Sequence, residues 1–391
     1  MGGVTTYLDH AATSPLRPEV AAAMAEVHAG GPLGNPTGSH PPAQRARRFL
    51  DEARDEVAAF LGRDAGEIVF TSGGTEAANL ALLGTLDAAR HGGREAVVLT
   101  TAVEHPAVLE SCRAAARDGA DVRELPVDRA GILDLDALAR ALSSRCTVVA
   151  VMAANNETGV VQPLAAVVDA VHRRAPDAVV FSDAVQATSF LDVAELTAGV
   201  DLVGITAHKV GGPVGIGALA AAPRVLLDAR QHGGGQERER RSGTQDVAGA
   251  VGLATALRLA ARDRAAAAAA VAARRDRLAH GLAAAVPGLR RTVAAGDGVE
   301  VLPGHLHLCL EGVEREELLV ALGAQGVCVS GGSSCASGAL EPSHVLSAMG
   351  VPPELAAGAL RLTLGHDTTD ADVARALQVV PDVVASLRRR A

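Results

Sequence analysis

Lysine is almost absent from this sequence of 391 residues. Of 36 basic side chains one is a lysine, Lys209, which leaves 35 arginines. Arginine replaces lysine wherever a solvated positive charge is enough, but a guanidinium stays protonated and cannot act as an amine nucleophile. Lys209 stands between His208 and a Gly-Gly turn at 211–212. This setting is consistent with a Schiff-base nucleophile, and equally with one lysine left by chance in an arginine-rich composition.

Aromatic residues are also scarce, and the net charge is negative. The chain has no tryptophan, one tyrosine and a formal net charge of −9. A surface that binds nucleic acid needs excess positive charge, and single-stranded bases need aromatic rings to stack on. No apolar run approaches the length of about 20 residues that spans a bilayer, and residues 1–7 lack the features of a signal peptide. We therefore expect a cytoplasmic protein that contacts neither nucleic acid nor membrane directly.

Cysteines are few and unpaired in the sequence. There are five, an odd number, and none belongs to a Cys-x-x-Cys pair. This argues against a disulfide framework and against a zinc site, so the sequence predicts a reducing compartment and no metal. Cys335 differs from the rest because residues 330–338 around it are all small, which predicts a mobile loop. The others lie in apolar contexts and are predicted to pack in the core: Cys112, Cys146, Cys309 and Cys328.

Hydrophobic runs alternate with helical patterns along most of the chain. An amphipathic helix is predicted over 43–61, ending at Gly62, and long alanine-rich helices over 246–285. A second α/β unit follows, with strands at 305–310, 327–329 and 361–365 and a helix at 314–322. The alternation predicts an α/β fold with a mostly parallel sheet and helices on both faces. Its strands are predicted at 67–70, 96–100, 148–152, 178–181, 202–205 and 215–220.

Polar residues recur where these predicted strands end. A glycine turn and a helix follow the strand at 67–70, a geometry that can hold a phosphate, although an ordinary turn capped by Thr75 fits as well. In open α/β sheets ligands bind outside the carboxyl ends of the strands. Several such residues in one sheet therefore predict a binding site there, made of His105, Asn156, Asp183, Gln186, His208 and Lys209.

An amine nucleophile, a phosphate cradle, a buried acid and an imidazole together suit pyridoxal 5′-phosphate. Lys209 would bind the aldehyde, and Asp183 would keep the pyridine nitrogen protonated so that the ring acts as an electron sink. His105 would lie over the ring, and Gln186 or Asn156 would bind the phenolic oxygen. The phosphate would be held by Gly74, Thr75, Thr206 and His208.

The order and spacing of short motifs resemble those of cysteine desulfurases. The resemblance is to the NifS/IscS-like branch of the class V aminotransferase family, within the fold-type I pyridoxal phosphate enzymes. It runs nearly from end to end and includes Glu104-His105, His208-Lys209 and the Ser-Ser-Cys stretch that ends at Cys335. The matching stretches are 7–9, 34–36, 70–76, 104–105, 155–159, 183–186, 208–209, 232–235, 241–244, 333–335 and 340–343.

The resemblance implies an activity and a role for each motif. The substrate would be L-cysteine, its carboxylate held by Arg361 and Asn156 and its α-proton removed by Lys209. The Cys335 thiolate would attack the substrate sulfur, giving alanine and a persulfide on Cys335. The persulfide would pass to an acceptor protein for iron–sulfur cluster assembly, tRNA thiolation or another pathway. Thr244 would reach the partner subunit's phosphate, which implies a homodimer.

The resemblance also implies a division into two domains and leaves other activities open. Residues 16–257 would form a large cofactor-binding domain, and residues 1–15 with 258–391 a small domain that carries the Cys335 loop. A selenocysteine lyase or another pyridoxal phosphate enzyme of the aminotransferase type is the nearer alternative. A non-catalytic sulfur-relay partner that keeps the fold is the second.

Overall fold

A computed structural model describes residues 5–293, 298–332 and 343–389. The strands in these ranges are β1 (Thr6–Tyr7), β2 (Ile68–Thr71), β3 (Val97–Thr101), β4 (Asp121–Leu125), β5 (Val148–Ala150), β6 (Val179–Asp183), β7 (Leu202–Thr206), β8 (Gly217–Ala221), β9 (Leu289–Arg291), β10 (His305–Leu310), β11 (Val327–Cys328) and β12 (Ala359–Thr363).

The first seven helices surround the main sheet: α1 (Pro18–Ala29), α2 (Pro41–Leu61), α3 (Gly74–Asn79), α4 (Thr85–His91), α5 (Pro106–Arg117), α6 (Leu135–Ala141) and α7 (Leu164–Arg174). One wider turn at Leu80–Gly84 joins α3 to α4 without a break. The remaining helices are α8 (Val193–Leu196), α9 (Val247–Ala285), α10 (Arg315–Ala324), α11 (His344–Ala348), α12 (Pro353–Ala356) and α13 (Asp370–Arg388).

Seven strands form the main sheet in the order β2-β8-β7-β6-β5-β3-β4. All neighbours are parallel except β8, which is antiparallel to both β2 and β7. Successive residues of a strand belong to different hydrophobic clusters: Val98 packs on one face of the sheet and Leu99 on the other. Because hydrophobic clusters cover both faces of the sheet, its strands are continuous apolar runs in the sequence. The predicted α/β fold with a mostly parallel sheet is confirmed.

The predicted helix at 43–61 is confirmed as α2. It ends where Gly62 adopts a left-handed conformation (φ 64°) and donates its N–H to the carbonyls of Ala58 and Ala59. The alanine-rich stretch forms one helix of 39 residues, α9, where the sequence predicted more than one. None of the helices in the described ranges is both long and apolar enough to cross a membrane.

A second unit is built around the antiparallel sheet β12-β10-β9 and the parallel pair β1-β11. Its hydrophobic cluster joins Leu8, from the start of the chain, to residues between Val271 and Leu387. The largest cluster of the main sheet spans Val20 to Ala260. These separate clusters support our proposed division at residues 16–257, although α9 runs through that boundary without interruption.

Candidate active site

A cavity of about 620 Å³ opens at the carboxyl ends of the central strands. His105 follows β3, Asn156 follows β5, Asp183 ends β6 and Thr206 ends β7. Because these strands run parallel, their ends meet at one edge of the sheet. The predicted site residues that line the cavity are Gly74, Thr75, His105, Asn156, Asp183, Gln186, Thr206, His208, Lys209 and Arg361.

The first turn of α3 forms one wall of this cavity. A Cβ on Gly74 would lie 2.8 Å from Cγ2 of Val185, so only glycine allows this close approach. The preceding Gly73 has φ 150°, and its carbonyl accepts the N–H of Ala77. The earlier N–H groups of a helix have no carbonyl within the helix to bind, which leaves those of Gly74 and Thr75 for an anion.

Asp183 is a buried acid that interacts electrostatically with the half-buried imidazole of His105. One oxygen of Asp183 accepts the backbone N–H of Val185 at 3.0 Å. Burial raises the pKa of Asp183, while His105 and Lys209 act in the opposite direction. His105 caps α5 because its Nδ1 accepts the N–H of Ala107 at 3.1 Å. Burial lowers the pKa of His105, so the ring is neutral with its hydrogen on Nε2.

Lys209 is held against the N-terminal segment of the chain. Its Nζ donates to the carbonyl oxygens of Ala11 and Ala12, both at 2.6 Å. Gln186 also donates to the Ala11 carbonyl, at 3.0 Å. Burial and the neighbouring Lys209 lower the pKa of His208 to about 4, so this imidazole is neutral. The amine is thus held by backbone carbonyls beside a neutral imidazole, a setting that suits a nucleophile.

Arg361, in β12, is only 1% exposed. Its guanidinium donates to the Asp9 carboxylate at 2.7 Å and to the carbonyls of Asn156 and Gly332 at 2.9 and 3.1 Å. A guanidinium has five N–H donors, and Nε is buried without a partner among the described residues. Arg361 is therefore fixed in place by three acceptors with donor capacity left for an anion. The sequence motifs included Asp9 but did not assign it this contact.

Two buried glutamates lie at the cavity: Glu157 lines it, and Glu104 precedes the lining residue His105. Burial raises the pKa of Glu104 to about 8, and its Oε1 accepts from the hydroxyl of Thr101 and the N–H of Met152, both at 2.8 Å. Burial also raises the pKa of Glu157, which accepts the hydroxyl of Ser343 at 2.6 Å. The sequence analysis assigned neither glutamate a role, since a single acid in a motif does not reveal that it is buried.

Among the described residues, one predicted site residue does not line the cavity, and another predicted residue lies outside the described ranges. Thr244 is exposed, so its assignment to the partner subunit's phosphate stays a prediction. Cys335 lies outside the described residues, in the segment 333–342. Gly332 and Ser343, the described residues that flank this segment, both line the cavity.

The fold and the lysine-centred cavity define an α/β protein of the fold-type I class. The family model described as Aminotransferase class-V matches residues 6–376, and the chain belongs to this family. The resemblance inferred from the sequence motifs is thereby confirmed.

Named relatives extend over nearly the whole chain. An IscS-like cysteine desulfurase of Mycobacterium tuberculosis (strain ATCC 25618 / H37Rv) is 42% identical over 393 residues, which cover 98% of each chain. The cysteine desulfurase IscS of Methanosarcina thermophila is 37% identical over 98% of this chain and 92% of its own. Among solved structures, a NifS-like protein superposes with a TM-score of 0.91 and 31% identity, covering 98% of this chain and 100% of that one.

Proposed function

We propose that this protein is a pyridoxal phosphate-dependent cysteine desulfurase. It converts L-cysteine to L-alanine and leaves a persulfide on Cys335. The observation that carries the proposal is the convergence of the only lysine, Lys209, with His105, Asp183 and Arg361 in one cavity. The names of the relatives, cysteine desulfurases at 37–42% identity, support the same activity.

The residues of the cavity fit pyridoxal phosphate. Gly74 leaves space that a Cβ would fill, and the N–H groups of α3 with Thr206 and His208 offer donors for the phosphate. Asp183 is the buried acid for the pyridine nitrogen, and neutral His105 suits the ring face. The cofactor, when bound, supplies the electron sink that makes the α-hydrogen of the amino acid acidic.

Arg361 is the group that binds the substrate carboxylate in this proposal. Its remaining N–H donors form charge-assisted hydrogen bonds, and Asp9 keeps the guanidinium from turning away. The side chain of Asn156 lines the same wall, while its backbone carbonyl holds Arg361 at 2.9 Å. Binding of the carboxylate at this position fixes the orientation of the substrate, and with it the positions of its α-carbon and its sulfur.

Lys209 moves the α-proton. A base must be a neutral amine, and the hydrogen bonds from Nζ to the carbonyls of Ala11 and Ala12 hold that amine at the cavity wall. Burial keeps His105 neutral, and Nε2–H makes it a donor on the cavity side. Lys209 and His105 together hold the protons that the substrate loses and regains.

Cys335 removes the sulfur. Its thiolate attacks the sulfur of the substrate, an S–S bond forms, and the bond from the β-carbon to sulfur breaks. The electron pair of the broken bond stays on carbon, where a proton completes the methyl group of alanine. Sulfur is oxidised as carbon is reduced, so no external oxidant is required. A thiol of an acceptor protein then takes the terminal sulfur for iron–sulfur cluster assembly, tRNA thiolation or another thio-cofactor.

The test measures sulfide and alanine after the full chain is incubated with L-cysteine, pyridoxal phosphate and a thiol reductant. We expect equal amounts of both products, and a loss of at least ~100-fold in Cys335→Ala. Cys328→Ala is the matched control because Cys328 lies on β11 and does not line the cavity. This variant should keep wild-type activity. Absence of sulfide would contradict the proposal. Equal sulfide from Cys335→Ala would favour a selenocysteine lyase or another pyridoxal phosphate reaction.

A further inference from the structure

Two histidines and an aspartate from opposite ends of the chain meet beside the active site. His10 follows β1, and His366 and Asp367 follow β12. One ligand atom from each of the three lies within 4.8 Å of the others. Two imidazoles and one carboxylate form a donor set that suits zinc and related divalent metals. The proposed desulfurase reaction uses none of these side chains.

The spacing in this cluster approaches that of a coordination site. His10 Nε2 lies 3.3 Å from Asp367 Oδ1. Ligand atoms around a tetrahedral zinc ion, with bonds of about 2.0–2.1 Å, are separated by about 3.3 Å. This pair already has that separation. His366 is only partly buried, so a change of side-chain rotamer can bring its ring nitrogen into the third position.

The hydrogen bonds of His10 leave its Nε2 available to bind a metal. The hydroxyl of Ser14 donates to the carbonyl of Lys209 at 2.9 Å, so its single hydrogen is used there. His10 Nδ1 lies 3.4 Å from the same hydroxyl oxygen and is the donor in the tautomer that satisfies this contact. Nε2 then carries the lone pair. A ligand histidine whose other nitrogen donates to an oxygen is the usual arrangement in metal sites.

This tautomer turns a lone pair of His10 toward an anion. The carboxylate of Asp367 repels the Nε2 lone pair unless a cation lies between them. The hydroxyl of Thr368, 3.3 Å from Nε2, can donate to the nitrogen but does not balance the charge of Asp367. Arg17 also faces this region, and its own charge is offset by Asp263 at 3.4 Å. A divalent cation would satisfy both His10 and Asp367.

The site is rigid on one side and open on the other. His10 is only 6% exposed, and a Cβ on Gly365 would lie 2.0 Å from its Nδ1, so the ring rests directly on the backbone. Asp367 is exposed, which gives an ion access and leaves room for a water ligand. With His10 fixed and Asp367 exposed, the site can take up a metal ion from solution.

A second observation points to a polar occupant. A small cavity of about 30 Å³ is lined by His10, His366 and His305. That volume accommodates one water molecule or ion. His305 is 5% exposed, and neither of its ring nitrogens has a hydrogen-bond partner among the described residues. Buried polar atoms without partners are rare in folded proteins, and a water bound to a metal ion would provide one.

We propose that His10, His366 and Asp367 bind a divalent transition-metal ion of the zinc type. The ion joins the N-terminal segment to the loop that follows β12. The same segment supplies the carbonyls that hold Lys209, and β12 carries Arg361. The metal thus stabilises the arrangement of both ends of the chain without taking part in sulfur removal. From its cysteines alone the sequence predicted no metal site, and the proximity of these histidines, which lie far apart in the sequence, is evident only in the fold.

The test is equilibrium dialysis of the full chain against zinc sulfate, followed by measurement of bound zinc. Cys335→Ser serves as the parent because it removes a competing thiol. We expect one zinc ion per chain, and at least a ~10-fold weaker affinity after His366→Gln or Asp367→Asn. Neither substitution removes a core side chain, and circular dichroism checks the fold. Cobalt in place of zinc should give the visible absorption of a four-coordinate site in the parent alone.

The matched control is the surface pair His91 and Asp228. Its atoms lie 2.6 Å apart, but no second histidine joins it among the described residues. His91→Gln and Asp228→Asn should leave zinc affinity unchanged. Equal zinc binding by the parent and by His366→Gln with Asp367→Asn would overturn the proposal, as would absence of stoichiometric zinc from the parent.

Discussion

At the scale of single residues, Arg361 shows how neighbouring groups neutralise and orient a buried guanidinium. It is the largest side chain among those that are almost fully buried in the described ranges, and Asp9 is its only ionic partner there. An arginine in such a place needs an anion for charge and fixed acceptors for direction. Asp9 and the two carbonyls provide both, so the carboxylate binding that we propose for Arg361 depends on Asp9 as well.

Asp9→Asn should therefore impair binding more than chemistry. The amide keeps one acceptor but loses the charge, and we expect KM for L-cysteine to rise about 10-fold with a smaller change in kcat. Steady-state kinetics of sulfide release provide the measurement. Asp263→Asn, which removes the charge opposite Arg17, is the control and should leave KM unchanged. An equal rise in both variants would assign the effect to general destabilisation.

Glu104 makes stability depend on pH. Its folded-state pKa of about 8 lies above the ordinary 4.5, so the folded chain holds a proton that the unfolded chain releases. This contribution is complete below about pH 4.5 and is lost as pH rises through about 8, a difference of roughly 5 kcal/mol.

Urea unfolding at several pH values tests this expectation. Relative to Glu104→Gln, the wild type should lose stability between about pH 5 and pH 8. Glutamine keeps the acceptor for Thr101 and Met152 and cannot ionise. Glu110→Gln, an exposed acid on α5, should follow the wild-type profile. Parallel profiles for wild type and Glu104→Gln would show that Glu104 is not a buried acid of this kind.

The single lysine simplifies the search for the cofactor linkage. Borohydride reduction after loading with pyridoxal phosphate should fix one cofactor per chain, on the peptide that contains Lys209. Mass spectrometry of the digest measures it. Lys209→Arg keeps the charge and should show neither the adduct nor sulfide release. An adduct on the N-terminal amine alone would contradict the assignment.

At the scale of elements, Gly62 ends α2 in a conformation that disfavours side chains. A Cβ there would also lie 3.0 Å from Cβ of Ala194. We expect Gly62→Ala to lower the free energy of unfolding by about 1–2 kcal/mol. Gly66→Ala is the control because nothing lies within 4 Å of an added Cβ, and it should change stability by under ~0.5 kcal/mol. Chemical denaturation of both variants decides the comparison.

Elements with a strong local pattern could be predicted from the sequence. The strand β10 has the predicted bounds, and α2 differs only at its start. The edge strand β4 was missed because its sequence, Asp-Val-Arg-Glu-Leu, has three charged residues that face solvent at the sheet border. The antiparallel direction of β8 could not be predicted, because strand direction depends on long-range pairing that hydrophobic pattern does not encode.

At the scale of the whole molecule, the exposed Thr244 leads to a prediction about subunits. If Thr244 completes the partner's phosphate site, then Lys209→Ala and Thr244→Glu disable different sites. Each variant alone should be inactive, while a co-expressed mixture should regain about a quarter of wild-type activity, because mixed dimers have one intact site. Sedimentation should show a dimer. A mixture that stays inactive would contradict shared sites.

The candidate site could be assembled from sequence only in part. His105, Asp183 and Thr206 follow neighbouring strands, and the geometry of a parallel sheet brings them together. The contact between Asp9 and Arg361 joins residues 352 positions apart, and that of His10 with Asp367 is similarly distant. Such contacts join distant parts of the chain within the second unit, so no local sequence pattern predicts them.

The pairing of β1 with β11 has a consequence for protein synthesis. Thr6 lies beside Val327 and Asp9 beside Arg361, so these residues are synthesised long before their partners. The main sheet, whose strands end at Ala221, can form while translation continues. The contact between Asp9 and Arg361, on which the proposed carboxylate site depends, can form only after β12 has emerged. A nascent chain therefore acquires a fold well before it acquires an activity.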